Sequence, residues 1–218
     1  WFASKLRMHI LFVLVPVMLS LFMRDVVCMA LWTSGVIARE SRAEPIILLS
    51  SSASVFVFAP VLLTMILRTQ TLPSSPLRRR LEDICRRTRL RYRDILLWRT
   101  DNNMGNAAVM GLVPFVRYIL LSDLLLETMT DEQVEAVFAH EVGHVVLHGQ
   151  PHAAAARGGG PATKREREAD GFAAELLIPE AMLRDAVREY GADVEYLGAV
   201  FQVSRAAMAI RLRALGIT

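Results

Sequence analysis

Hydrophobic and polar positions divide the chain into two unlike parts. Residues 45–67 contain no charged side chain over 23 positions, enough to cross a bilayer core of ~30 Å at ~1.5 Å per helical residue. The serines there, Ser50, Ser51, Ser52 and Ser54, are tolerable because a helix hydroxyl can bond back one turn. Residues 8–23 form a second apolar stretch, uncharged apart from His9, but Arg24 and Asp25 interrupt it before 26–32 continues. The expected reading is a short or tilted span ending near Met23 with snorkelling side chains. The alternative carries the span to Trp32 with Arg24 and Asp25 near its middle, where a buried pair is costly and marks function. A signal peptide does not fit, because a second span follows and no small-residue cleavage pattern closes the first. Trp1 is not an initiator, so a start upstream is expected.

From residue 69 the rhythm changes. Residues 69–76 read as a Pro/Ser linker, 77–90 as a basic helix and 95–98 as a short strand. Residues 107–111 and 115–121 read as a hairpin turning at 112–114, the second run rich in β-favouring residues. Ser122 can cap a short helix over 123–128. Thr130 and Gln133 make a capping box, with Met129 and Val134 placed as its hydrophobic staple. The helix begun there carries Val134, Val137 and Phe138 on one face. A Gly-Gly-Gly segment over 150–161 breaks the chain, and helices are expected over 164–177, 180–190, 194–201 and 205–215. The fold class is therefore α+β and mostly helical, with a small antiparallel sheet, preceded by a two-helix transmembrane hairpin. The expected division is 1–69 for the hairpin and 70–218 for the folded domain, with 163–218 as its last helical part.

Composition sharpens this picture. The chain has 218 residues, 53% hydrophobic and 22% charged, with net charge +3 and mean hydropathy +0.34. Only eight of its charges fall in residues 1–67: Lys5, Arg7, Arg24, Asp25, Arg39, Glu40, Arg42 and Glu44. The remainder has ordinary soluble composition, large enough for one core. Two cysteines, Cys28 and Cys85, exclude a disulfide scaffold and a four-cysteine zinc site. Arginines crowd the stretch after the second span, from Arg68 to Arg93, and the loop over 34–44 has only Arg39 and Arg42. The positive-inside tendency then puts both ends in the cytoplasm and that loop outside. The arginine run lies beside a span and lacks interleaved aromatics apart from Tyr92. Contact with anionic headgroups is expected, with a solvated helix face as the alternative, and nucleic acid is not expected.

The chemistry sits at His140-Glu141-Val142-Gly143-His144, an H-E-x-x-H sequence on the capped helix. Histidines at i and i+4 lie one above the other and can hold one zinc ion per chain. Glu141, one step round, can act as general base for a zinc-activated water. A catalytic zinc needs a third ligand. Glu166 opens the helix after the glycine-rich bend and is expected to supply it, with Asp170 on the same face to orient a ligand histidine. Glu166 could instead be a capping glutamate answering Thr163, and Glu168 is the rival ligand. His148, a further turn along, could contact substrate or stabilise an oxyanion, but an outer supporting or surface role is the expected one; Tyr190 and an arginine are also open as oxyanion stabilisers. His9 reads as interfacial, His152 as solvated and Cys85 as a half-buried thiol. Gly143 reads as a point of close approach by a neighbouring element.

Trp98-Arg99-Thr100, Asn106-Ala107-Ala108-Val109-Met110-Gly111, the run Arg117 to Leu125 and the run Glu135 to His144 resemble the HtpX and CAAX-prenyl-protease-like membrane zinc endopeptidases, over about 77–149. The run Glu166 to Pro179, with Phe201-Gln202-Val203-Ser204 and Arg211-Leu212, looks like the ImmA/IrrE metallopeptidases. Glu166 lies only 22 positions after His144, which departs from the first family and suits the second. Both resemblances imply a zincin-like, gluzincin-type domain with His140, His144 and Glu166 on zinc and Glu141 as base. They imply a protein or peptide substrate, held along an edge strand beginning at Asn106 and Ala107. The membrane hairpin suits the first family, and with the charge distribution it gives the expectation of an integral protein of a bacterial inner membrane with its catalytic domain cytoplasmic. The competing expectation is a regulator whose helices over 193–215, with a helix-turn-helix rhythm at Val203-Ser204, bind DNA or a repressor. A zinc fold without catalysis is disfavoured by the intact Glu141.

Overall fold

The computed structural model describes residues 2–36, 44–149 and 163–217. The readings for the loop over 37–43, the glycine-rich bend and His152 lie outside the described residues, as do the side chains of Lys5, Arg7 and His9. The chain forms two compact units, Trp1–Met65 and Ile66–Thr218.

The first unit holds α1 (Phe2–Thr33) and most of α2 (Glu44–Ile66). Two stretches are long and apolar enough to cross a membrane, Pro16–Thr33 and Pro45–Ile66, and only 17% of the second is buried. A soluble core helix would be mostly buried, and this one leaves most of its apolar surface uncovered within the chain. The hydroxyls of Ser20, Ser50 and Ser54 donate to the carbonyls of Pro16, Ile47 and Ser50, which satisfies them without water. α1 runs on to Thr33, and Arg24 and Asp25 pair with each other at 2.5 Å within its second half. Adjacent opposite charges can pair side by side, and the helix continues through them.

The second unit is built on a four-stranded sheet: β1 (Thr69–Thr71), β2 (Asp94–Trp98), β3 (Ala107–Met110) and β4 (Tyr118–Ser122), in the order β1-β2-β4-β3. It is mixed, which corrects the antiparallel expectation: β2 and β4 run parallel, and the other two pairs are antiparallel. The cause is topological. The chain leaves β2, passes to the far side of β4 to lay down β3, and returns through the hairpin into β4 beside β2. A second correction is β1, whose residues read as linker. Three residues with no sequence signal complete the outer edge of β2, and Thr71 fixes them by donating to Asp94 at 2.8 Å. The β3–β4 turn is longer than expected and contains a 3-10 turn, Pro114–Val116. Gly111 starts it at φ +100, where a Cβ would lie 2.4 Å from the Val116 carbonyl oxygen.

α3 (Pro76–Arg87) starts on the Ser75 cap with Pro76 in its first turn, a position that needs no backbone N–H. Arg78 of α3 pairs with Asp94 at 2.8 Å and ties helix to sheet. The core joins Leu81 and Ile84 of α3, Ile95, Val109, Ile119 and Leu121 of the sheet, and Val134, Phe138 and Val142 of α5 (Asp131–His148). α4 (Asp123–Thr128) follows the Ser122 cap. Asp123 accepts from Thr100 Oγ1 at 2.5 Å and from the Thr100 and Leu124 amides at 2.9 Å, which secures the loop before β3. Burial would raise this carboxyl, but those bonds hold it below the usual carboxylate range. α6 (Lys164–Leu177) packs along α5. α7 (Glu180–Tyr190), α8 (Val194–Phe201) and α9 (Arg205–Ala214) share a separate small core of Ile178, Leu183, Leu197, Met208 and Leu212.

Candidate metal centre

α5 is positioned before it does any chemistry. The Thr130–Gln133 capping box is formed in both directions, and Gly149 ends the helix in the left-handed conformation. Its inner face buries Val134, Phe138 and Val142 against the sheet. Arg80 of α3 pairs with Asp131 and with Glu135, each at 2.7 Å, and anchors the first turns. Burial raises the Glu135 carboxyl, against the opposing pull of Arg80. Sequence reasoning missed this pair. The available signal was a carboxylate next to the buried positions Val134 and Phe138, where an acid needs a basic partner.

One helical turn of spacing then aligns the histidines. His140 and His144 are 5% and 2% exposed, with their Nε2 atoms 3.1 Å apart. α6 crosses them closely because Gly143 leaves room. A Cβ there would lie 3.4 Å from the Ala169 Cα and 3.0 Å from the Phe172 ring. That crossing turns Glu166 toward both rings, Oε2 at 3.3 Å from His140 Nε2 and Oε1 at 3.6 Å from His144 Nε2. The three groups offer ligand atoms all within 4.8 Å of one another. Tetrahedral ligands at about 2.0–2.1 Å from one ion would stand roughly 3.3–3.4 Å apart. The two Nε2 atoms at 3.1 Å stand near that spacing, and each ring meets a different oxygen of the Glu166 carboxylate, so the three side chains converge where one zinc-sized cation could sit. The donor chemistry, two imidazoles and a carboxylate, suits zinc.

Asp170, one turn beyond Glu166, holds His140 Nδ1 at 2.8 Å. With the proton on Nδ1, the Nε2 lone pair faces Glu166 and His144. Thr163 accepts from the Glu166 amide at 3.3 Å, so Glu166 occupies a cap position and still points its carboxylate at the histidines. Glu168 points elsewhere, Oε2 to His148 Nε2 at 3.6 Å and Oε1 to Lys164 at 3.7 Å. His148 continues the histidine row, its ring 5.9 Å from that of His144. Glu141 is buried, at 3% exposure. Tyr190 lies at the end of α7 with its ring 5.2 Å from Tyr196. Asn106 exchanges bonds with Ser122, amide to Oγ at 2.8 Å and carbonyl from amide at 3.0 Å. Ala107 opens β3, whose outer side carries no strand among the described residues.

The fold and this donor set define a metallopeptidase-like domain. Residues 71–155 match the model of peptidase family M48, and residues 119–213 match that of the IrrE N-terminal-like domain, peptidase family M78. The two matches overlap over 119–155, which contains His140 to His144, and Glu166 and Asp170 fall in the second alone. The chain thus resembles both groups, and together they support a zinc peptidase in general terms. Comparison with curated proteins and with solved structures finds no match.

Proposed function

We propose that this protein is a membrane-anchored zinc endopeptidase of the gluzincin type. The observation that carries the reading is the convergence of His140, His144 and Glu166 from α5 and α6 on one point. These residues would hold one zinc ion. Bound there, zinc would polarise the scissile carbonyl and lower the pKa of a water toward 7. Glu141 takes the proton of the attacking water and delivers it to the leaving amine. Asp170 keeps His140 in the tautomer that presents Nε2. The free edge of β3, from Asn106 and Ala107, pairs with an extended substrate backbone, and His148 lies beside the site as a further substrate contact. α1 and α2 anchor the chain in a bilayer, with the catalytic domain on the cytoplasmic side.

The DNA- or repressor-binding reading finds less support. Arg211 of α9 is turned inward, to the Ile178 carbonyl and the Glu175 carboxylate. The exposed positions of α9 are Arg205, Ala206, Ile210, Arg213 and Ala214, so two arginines stay in solvent among three apolar residues that carry no base-reading group.

The test is Glu141→Gln beside the parent, purified in detergent and given an unfolded protein substrate. Both should carry one zinc per chain, and only the parent should cleave. Equal cleavage by the variant would remove Glu141 from the mechanism. Glu166→Gln should lose metal while Glu168→Gln keeps it, and the reverse result would reassign the ligand.

A further inference from the structure

The β3–β4 turn is unlike a solvated loop. Leu112-Val113-Pro114-Phe115 replaces the usual polar turn residues, and Leu112 and Phe115 are each 59% exposed. The turn is nonetheless firmly held. Val116 is buried beneath it. The Arg117 guanidinium donates to the carbonyls of Gly111 at 3.2 Å, Leu112 at 2.8 Å and Arg91 at 3.1 Å. The Arg93 amide donates to the Arg117 carbonyl at 2.7 Å. These bonds bring the apolar tip beside the segment after α3. Exposure alternates there: Leu90 is buried and Tyr92 packs on the core, while Arg89, Arg91 and Arg93 point to solvent. None of these three guanidinium groups has an ion pair among the described residues, unlike Arg78 and Arg80 of the same basic run. Arg117 adds a fourth positive charge, met among the described residues by carbonyls.

We propose that this end of the sheet is a second membrane contact, in which Leu112 and Phe115 enter the headgroup region of an anionic bilayer and Arg89, Arg91 and Arg93 bind its phosphates. A rigid apolar tip ringed by unpaired arginines is the composition of an interfacial anchor. The charge favours lipid over an apolar protein partner, whose docking face would leave three arginines unmatched. The tip begins two positions after β3 ends, so its docking holds the substrate-pairing edge at the membrane surface. Substrates cleaved close to the bilayer would be favoured. The inference rests on the reading of α1 and α2 as anchors.

The experiment uses the full chain in nanodiscs of phosphatidylcholine with or without phosphatidylglycerol. An environment-sensitive fluorophore is placed on Phe115→Cys, and on Met182→Cys of α7 as an exposed reference. Native Cys28 and Cys85 are buried and remain unlabelled in the folded protein. The label at 115 should shift to the blue and be quenched by lipid-borne nitroxide in anionic discs, while the label at 182 does neither. Added salt, or Arg89→Glu with Arg91→Glu and Arg93→Glu, should reverse the change at 115. In the parent the salt arm suffices should the triple variant fail to fold. A label at 115 as wet as that at 182 would overturn the proposal. So would quenching indifferent to both phosphatidylglycerol and salt, or a response to an added oligonucleotide in place of anionic lipid. Anchoring is tested separately. Release of the chain from membranes by alkaline carbonate would sink the anchoring reading, and the same label on added anionic vesicles would then decide the tip.

Discussion

Removing the Asp170 carboxylate should weaken zinc binding without unfolding the domain. Asp170 is placed to act through His140, whose Nδ1 it holds at 2.8 Å. Loss of such an outer partner costs about 10–100-fold in metal affinity, or roughly 1.4–2.7 kcal/mol. The Asp170 side chain is 59% exposed, so water can replace part of what it supplies, and the lower end applies. Asp170→Ala should therefore raise the zinc Kd about tenfold, or ~1.4 kcal/mol. Asp170→Asn keeps an oxygen acceptor and loses only the charge. Solvent screening makes that charge a small contribution, and about half the energetic effect is expected. The assay is competition against a chelator of known affinity, with thermal melts of the metal-free proteins as control. Zinc affinity in Asp170→Ala equal to the parent would refute the argument. So would a larger loss in Asp170→Asn than in Asp170→Ala.

Gly143→Ala tests the helix crossing that brings Glu166 to the histidines. Helix propensity favours alanine by about 1 kcal/mol, but overpacking against the Ala169 backbone and the Phe172 ring costs about 1–3 kcal/mol. A net loss of about 1 kcal/mol and weaker zinc binding should appear together in melting and chelator titrations, and a stabilised variant with full affinity would contradict the tight crossing. Burial pushes the Cys85 thiol up to about 12, whereas an unfolded chain loses this proton from about pH 8.5. The unfolded state therefore sheds protons first, and stability should fall as pH rises from about 8.5 toward 12. Urea unfolding of the detergent-solubilised protein across that range checks this. A slope as steep in Cys85→Ala would place its origin elsewhere, with Tyr92, also pushed up to about 12 by burial, as the next group to test.

The parts of this protein legible in the sequence are those governed by neighbours a turn or less apart. The capping box at Thr130, the i, i+4 row of His140 and His144, and the helices over 164–177, 180–190 and 194–201 depend on caps and on period-3.6 patterning, which a short window contains. The uncharged run over 45–67 is legible for the same reason, since membrane-spanning capacity is a matter of length and composition. Pairing between distant segments is not written locally. β1 has three polar residues and becomes a strand only because the edge of β2 is there to meet it. The parallel β2–β4 pair follows from the order in which the chain fills the sheet. The arginine run reads as uniformly basic, yet the fold turns Arg78 and Arg80 to carboxylates and leaves Arg89, Arg91 and Arg93 in solvent. The metal centre divides along the same line. By itself the sequence determined two histidines on one helical face and two glutamates that could complete them. Only the crossing of α6 over Gly143 decided that Glu166 meets the histidines while Glu168 meets His148. Residues two apart on a helix face different directions, and which direction matters depends on what lies across from them.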